Sequence, residues 1–162
     1  MWYIHTMYKI CIRTWYTLIN PFRRLYWYIF RPQTRGVKCL IECRGHFLLT
    51  RLGYAHKLWT VPGGGVKRNE SWETAIRREV FEEVGIRLDA IKNIGEYKNI
   101  MEHKRDTVAV FYSSVASFDF KIDNIEIIEA QWFLPTNLPP NRRPVEKLLT
   151  MLQENLKPEK IL

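Results

Sequence analysis

Between Ser71 and Val84 the chain places carboxylates where a helix is otherwise apolar. With Trp72 as origin and about 100° per residue, Ile76, Val80 and Val84 fall near 40°, 80° and 120°, and Ala75 near 300°. That arc is the stripe a core-facing helix buries. On the same wheel Glu79 falls near 340° and Glu83 near 20°, inside the stripe, and Glu82 near 280°, on its shoulder. Few chains tolerate this, because a carboxylate taken out of water costs several kcal/mol unless something compensates it. Three together also repel, so without a partner at least one keeps its proton. Oxygen donors grouped this way suit a hard divalent ion, Mg²⁺ or Mn²⁺. The bland alternative is surface ion pairing, Arg78 with Glu82 and Glu83 with Arg87, each at i,i+4 spacing.

Immediately upstream stands Pro62-Gly63-Gly64-Gly65. Glycine lets the backbone adopt positive φ and approach a ligand closely. Main-chain groups here suit a phosphate or can lend a carbonyl to a metal. The segment is not a P-loop, since no Gly-Lys-Ser/Thr follows.

The surrounding pattern is that of a mixed α/β domain. Val37–Glu42 and His46–Arg51 read as strands joined at Arg44-Gly45. Leu58–Val61 reads as a short extended piece before the glycines. Ser71–Val84 is the carboxylate helix, with Gly85 suited to end it. Extended stretches follow near Ile91–Lys98, Thr107–Val115 and Glu126–Leu134. After a proline-rich connection, Val145–Leu156 reads as a closing helix with Val145, Leu148, Leu149 and Leu152 on one face. Strands around one mid-chain helix, with another at the end, predict an α/β sandwich on a mixed sheet.

The net charge of +8 is unevenly spread over the 162 residues. Residues 1–35 hold six basic side chains and no acid, and ten of the 22 aromatics. Residues 36–162 are close to neutral, which argues against a long nucleic-acid partner. The chain therefore divides into a basic aromatic leader, 1–35, and a main domain, 36–162. Lys9, Arg13 and the break at Asn20-Pro21 leave the leader no run long enough for a transmembrane helix. Ile4, Tyr8, Cys11, Trp15 and Leu18 follow helical spacing, so a short helical extension is expected. Either it lies on an anionic membrane surface, or it packs on its own domain or on a second copy in a homodimer. Cys11, Cys39 and Cys43 fit no disulfide framework or zinc spacing. Reduced cysteines and a cytoplasmic location, with peripheral membrane contact in the first case, follow.

The segment Gly64 to Ile86 closely resembles the Nudix hydrolase family. The family pattern is G-x5-E-x7-R-E-U-x-E-E-x-G-U, with U a bulky aliphatic. It is filled by Gly64, Glu70, Arg78, Glu79, Val80, Glu82, Glu83, Gly85 and Ile86, with no departure. The resemblance extends over about residues 36–156 and does not explain the leader. It implies a Nudix-type α/β/α sandwich and metal-dependent hydrolysis of a nucleoside diphosphate linked to another group, X, at the phosphoanhydride. Glu79, Glu82 and Glu83 match the family's metal-binding glutamates, with the Gly63 carbonyl as a further ligand of Mg²⁺ or Mn²⁺. Arg78 and Glu70 match positions that orient the catalytic helix, and Gly85 ends it. The general base is less fixed in the family; Glu79, Glu126 and Glu129 are candidates.

A small nucleotide-type substrate would meet the main chain at Gly64 and Gly65. Trp59, Tyr54, Tyr97, Phe111 and Trp132 are candidates to stack its base, each with a core role as the alternative. His103-Lys104-Arg105 reads equally as a phosphate contact or a solvated loop. The proline that marks many ADP-ribose hydrolases is missing, as none occurs between Pro62 and Pro135. The rival reading is a non-catalytic nucleotide-binding module; three intact metal carboxylates speak against it.

Overall fold

A computed structural model describes residues 33–53, 58–101, 104–122 and 126–156; side chains between 99 and 105 are not described. The expectations for the leader, for Tyr54 and for His103-Lys104-Arg105 fall outside what is described. The chain divides into two units, Met1–Thr34 with Lys98–Asp106, and Arg35–Tyr97 with Thr107–Leu162. The second carries the helices and the glycine loop.

The elements in chain order are β1 (Gln33–Cys43), β2 (His46–Leu52), β3 (Trp59–Thr60), α1 (Trp72–Val84), β4 (Lys92–Met101), β5 (Lys104–Ser114), β6 (Ile127–Phe133) and α2 (Val145–Leu156). The sheet order is β3-β2-β1-β5-β4, with β6 on β2. β2 runs antiparallel to β1, β3 and β6. Thr34 Oγ1 bonds the Asp106 carboxylate and Ser114 Oγ bonds Glu42 Oε2, the same sequence offset of 72 at two places. A constant offset means that β1 and β5 run parallel, so the sheet is mixed as predicted.

Alternation along the strands sends side chains to two cores. Val37, Cys39, Ile41, Leu48, Ala109 and Phe111 meet Ala75, Ile76, Val80 and Val84 of α1. Leu40, Phe47, Leu49, Trp59, Ile94 and Val110 meet Val145, Leu148 and Leu152 of α2. Each fully buried aliphatic contributes about 1.5–3 kcal/mol, so either helix is held mainly by its stripe. Cys39 and Cys43 are free and buried.

The ends of α1 are fixed by local chemistry. Ser71 is the N-cap, its hydroxyl accepting from Thr74 N at 3.1 Å. Gly85 takes the left-handed conformation, φ 68°, and its N–H returns to Phe81 O at 3.0 Å. The orphan Val84 carbonyl is met by Lys121 N at 2.9 Å. Among the described residues, no helix is long and apolar enough to cross a membrane.

Candidate active site

The glycine loop is held as an irregular strand. β1 and β2 pair only near their turn, at Glu42↔Phe47 and Cys43↔His46, and then part. Into the gap comes the segment after β3. Cys39 N donates to Pro62 O, Val37 N to Gly64 O and Val66 N to Arg35 O, all at 2.9 Å. Two glycines are demanded by this docking. At Gly63, φ is +139°, and a Cβ would stand 2.2 Å from the Val37 carbonyl oxygen. At Gly64, a Cβ would stand 2.4 Å from Glu79 Oε2. The Gly64 Cα is therefore the floor against which Glu79 lies.

α1 crosses beneath this loop, and its polar residues meet there. Glu83 is 7% exposed, and its Oε2 accepts from Gly63 N at 2.9 Å. Burial raises its carboxyl to about 7, against the opposing pull of Lys38 and the Gly63 N–H; the Glu79 and Glu126 charges push it the same way as burial. Arg78 is the hub. Its Nε and Nη2 grip both oxygens of Glu70 at 2.8 Å. Nη1 reaches Glu79 at 2.7 Å and Glu82 at 3.2 Å, and Nη2 also reaches the Gly65 carbonyl at 3.0 Å. Its hydrogen bonds to Glu70, first of all, hold the guanidinium still more firmly in its charged form. Glu70, bonded by Arg78 and then by Lys67 N, is pushed down to about 2.

Of the residues singled out in the sequence, Gly63, Gly64, Gly65, Glu70, Arg78, Glu79, Glu82 and Glu83 come together here. Gly85 ends the helix that carries them. Glu82 is the exposed member, so the convergence of three carboxylates on the core-facing side holds for Glu83 and Glu79 and not for Glu82. The i,i+4 alternative is realised at Arg78–Glu82; Arg87 instead lies over the Phe81 ring at 5.2 Å. Glu126 adjoins the cluster closely enough for its charge to act on Glu83. Glu129 does not join it. It pairs with Arg51 on the α2 side of the sheet, the side of Phe47 and Leu49.

Trp59 is 8% exposed and sits in the α2-side core, edge-on to Phe133 at 5.2 Å. Its backbone is clamped by the proline-rich connection, Trp59 N to Asn141 O and Arg143 N to Trp59 O at 2.9 Å. Phe111 is core, Tyr97 packs at the α2-side core with Lys147 over its ring, and Trp132 contacts Phe118. For these four the packing role is the one on view.

One member went unread in the sequence. Lys38, in β1, donates from Nζ to the Val61 carbonyl at 2.9 Å and the Gly63 carbonyl at 3.3 Å. Burial pushes its ammonium pKa down, while Glu83 and then Glu79 pull it up. The available signal was a lone lysine inside the apolar run Val37 to Ile41.

The donor chemistry fits a divalent cation. It is all oxygen, its charges repel, and the glycine at 64 lets the Glu79 carboxylate lie against the loop where any side chain would displace it. Among the described residues no three acidic, thiol or imidazole side chains already close around one ion position. Arg78 and Lys38 instead supply the counter-charge.

The NUDIX domain model matches residues 31–152. The chain belongs to the Nudix family of pyrophosphohydrolases. It is 31% identical over 116 residues to YtkD of Bacillus subtilis, a proposed 8-oxo-dGTP diphosphatase, covering 70% of this chain and 72% of that one. It is 30% identical over 126 residues to the NAD-capped RNA hydrolase NudC of Haemophilus influenzae, covering 72% of this chain and 47% of that one. The crystal structure of a MutT protein from Methanosarcina mazei superposes with a TM-score of 0.66 at 28% identity, over 78% of this chain and 98% of that one. This Nudix chain thus spans about half to three quarters of the length of these two curated relatives.

Proposed function

We propose that this Nudix protein hydrolyses the phosphoanhydride of a nucleoside diphosphate linked to another group, NDP-X, to a nucleoside monophosphate and phosphoryl-X. The observation that carries the reading is the meeting of two helix carboxylates with the glycine loop, Glu83 on Gly63 N–H and Glu79 against the Gly64 Cα. Glu79, Glu82, Glu83 and the Gly63 carbonyl would hold Mg²⁺ or Mn²⁺. Such an ion, when bound, neutralises diphosphate charge and acidifies water. Gly64 and Gly65 leave the main chain open to a phosphate. Arg78 and Glu70 lock α1 to the loop. Glu126 removes the proton from the attacking water, its charge already acting on Glu83. Glu79, half engaged by Arg78, and Glu129, engaged by Arg51, are the alternatives. Water attacks one phosphorus, the bridging P–O bond breaks, and the bridging oxygen leaves with the other product.

The names of the two relatives, 8-oxo-dGTP diphosphatase and NAD-capped RNA hydrolase, share a nucleoside phosphoanhydride. The test is a panel of nucleotide sugars, 8-oxo-dGTP and NAD-capped RNA with Mg²⁺ and Mn²⁺. In ¹⁸O-water one label should enter one of the two phosphate products. Inorganic phosphate from simple monoesters as the main product, or a trapped phosphoryl-enzyme, would overturn the reading.

We also propose that residues 1–35 form a separate basic leader to a domain spanning 36–162. The family match begins at residue 31 and β1 at Gln33, so most of the leader lies ahead of both, while its last residues belong to the family match. Cytoplasmic location with peripheral membrane contact through the leader predicts salt-sensitive co-sedimentation with anionic vesicles. Homodimerisation through the leader predicts loss of the dimer on its deletion, and a protein that is monomeric and vesicle-free at low salt contradicts both.

A further inference from the structure

We propose that Lys38 is the resident cation of this site, a positioning residue that holds the Val61 and Gly63 carbonyls and competes with a divalent ion for the surrounding carboxylates. The inference rests on the metal reading above and adds what regulates the ion's affinity. It starts from strand geometry. Val37 and Cys39 enter the α1-side core, so Lys38 leaves β1 on the opposite side. Pro62 O and Gly64 O point at β1, where Cys39 N and Val37 N hold them. The intervening carbonyls, Val61 and Gly63, point away. Only a long side chain crossing the loop reaches both, and Lys38 Nζ does so at 2.9 and 3.3 Å.

Gly63 is thereby held through both its polar atoms, the N–H by Glu83 and the carbonyl by Lys38. An ammonium has three donors, and two are spent on this loop. The charges acting on Lys38 are Glu83 and Glu79, two of the carboxylates assigned to the ion. Ordering a lysine side chain costs up to about 2 kcal/mol, and burial disfavours its charge as well. What offsets both is the acidic cluster. An incoming dication seeks the Gly63 carbonyl that Nζ already holds and the carboxylates whose charge acts on Lys38, and the ammonium repels it. Lys38 therefore keeps the loop in its docked shape without an ion and lowers the affinity for one.

Two roles predict opposite signs. If Lys38 only braced the loop, neutralising it would loosen the loop and weaken metal binding. As a competing cation, its neutralisation strengthens binding. Mn²⁺ affinity of the full chain, read from the free-ion EPR signal, separates them. Lys38→Met should bind Mn²⁺ roughly tenfold more tightly. Lys38→Gln, which retains a hydrogen-bond donor, should move the same way and covers the case in which the methionine variant does not fold. Lys38→Arg should stay close to the parent. Equal or weaker binding by the neutral variants overturns the role of Lys38 while leaving the metal reading intact. Absence of Mn²⁺ binding by the parent itself overturns both.

Discussion

The Gly63 N–H donates to the Glu83 carboxylate at 2.9 Å, across 20 residues of chain. This bond joins the loop docked on β1 to the last turn of the acidic helix, inside a region from which water is almost excluded. It fixes the Glu83 carboxyl but does not neutralise it. Burial, with the charges of Glu79 and Glu126, raises that carboxyl to about 7, and Lys38 only partly opposes this.

The sign of the resulting pH dependence follows from proton counting. Between about pH 4.5 and 7 the metal-free folded protein keeps a proton on Glu83 that the unfolded chain has lost, so stability falls as pH rises through this window. Glu83→Gln removes the effect and can still accept from Gly63 N–H. The variant should match the parent near pH 4 and exceed it above pH 7.5 by on the order of 3 kcal/mol. Chelated samples melted across that range provide the check, and Mg²⁺ should narrow the difference by binding the parent alone.

Adjacent glycines should fail in different ways. A Cβ on Gly63 meets the Val37 backbone carbonyl at 2.2 Å, and the residue already holds φ at +139°. Gly63→Ala should therefore cost several kcal/mol and undock the loop. A Cβ on Gly64 meets only the far end of the Glu79 side chain. Gly64→Ala should fold, with a melting temperature within a few degrees of the parent, yet lose most of its turnover because Glu79 is displaced. Calorimetry and a hydrolysis assay on the same samples distinguish the two. Equal stability losses would mean that the Gly64–Glu79 contact is not what restricts the position.

Much of this arrangement was legible from local signals. The helix limits followed from Ser71 and Gly85, and the hairpin from Arg44-Gly45. The glutamates were found because they break an apolar stripe. Lys38 was missed because alternation tells only which face a side chain leaves from. Its reach over the loop depends on β1 and β2 parting to admit residues 62–66. The separation of Glu126 from Glu129 agrees with plain alternation, residues three apart leaving an extended segment on opposite faces. What was hidden is that Arg51, across the β2–β6 pairing, engages Glu129. Trp59 looked available beside the glycines, but the connection at 141–143, distant in sequence, covers it.

Arg78 carries five contacts in one planar fork, to both Glu70 oxygens, Glu79, Glu82 and the Gly65 carbonyl. Lysine keeps the charge but not the fork. Arg78→Lys should cost about 1–3 kcal/mol and lower kcat by roughly ten- to a hundredfold, with KM much less affected. The acidic limb should also move, since Glu70 loses the hydrogen bonds that hold it near 2. The parent loses the Glu70 contribution as pH falls from the ordinary carboxylate range towards 2, so the variant, lacking it throughout, should be the weaker at neutral pH and converge on the parent in that acid window. A variant with parental kinetics would show that the fork is not needed to position α1.

The last pair of substitutions tests which late glutamate takes the proton. Glu129 is occupied by Arg51 at the partly exposed end of β2, on the sheet face opposite α1. Glu129→Gln should cost no more than about 1 kcal/mol and leave kcat within severalfold of the parent, the usual behaviour of an exposed ion pair. Glu126 stands where its charge acts on Glu83. Glu126→Gln should lower kcat by roughly 10²–10⁴-fold, the loss expected on removing a general base. It should also change the acid limb of the rate profile, to which the Glu83 carboxyl, raised to about 7, contributes as well. Mn²⁺ affinity measured alongside separates a base from a ligand: a base variant binds the ion as the parent does, and a ligand variant binds it more weakly. A Glu126→Gln enzyme with parental kcat and an unchanged profile would exclude Glu126 as the base and leave Glu79, already beside the Gly64 Cα, as the remaining candidate on this face.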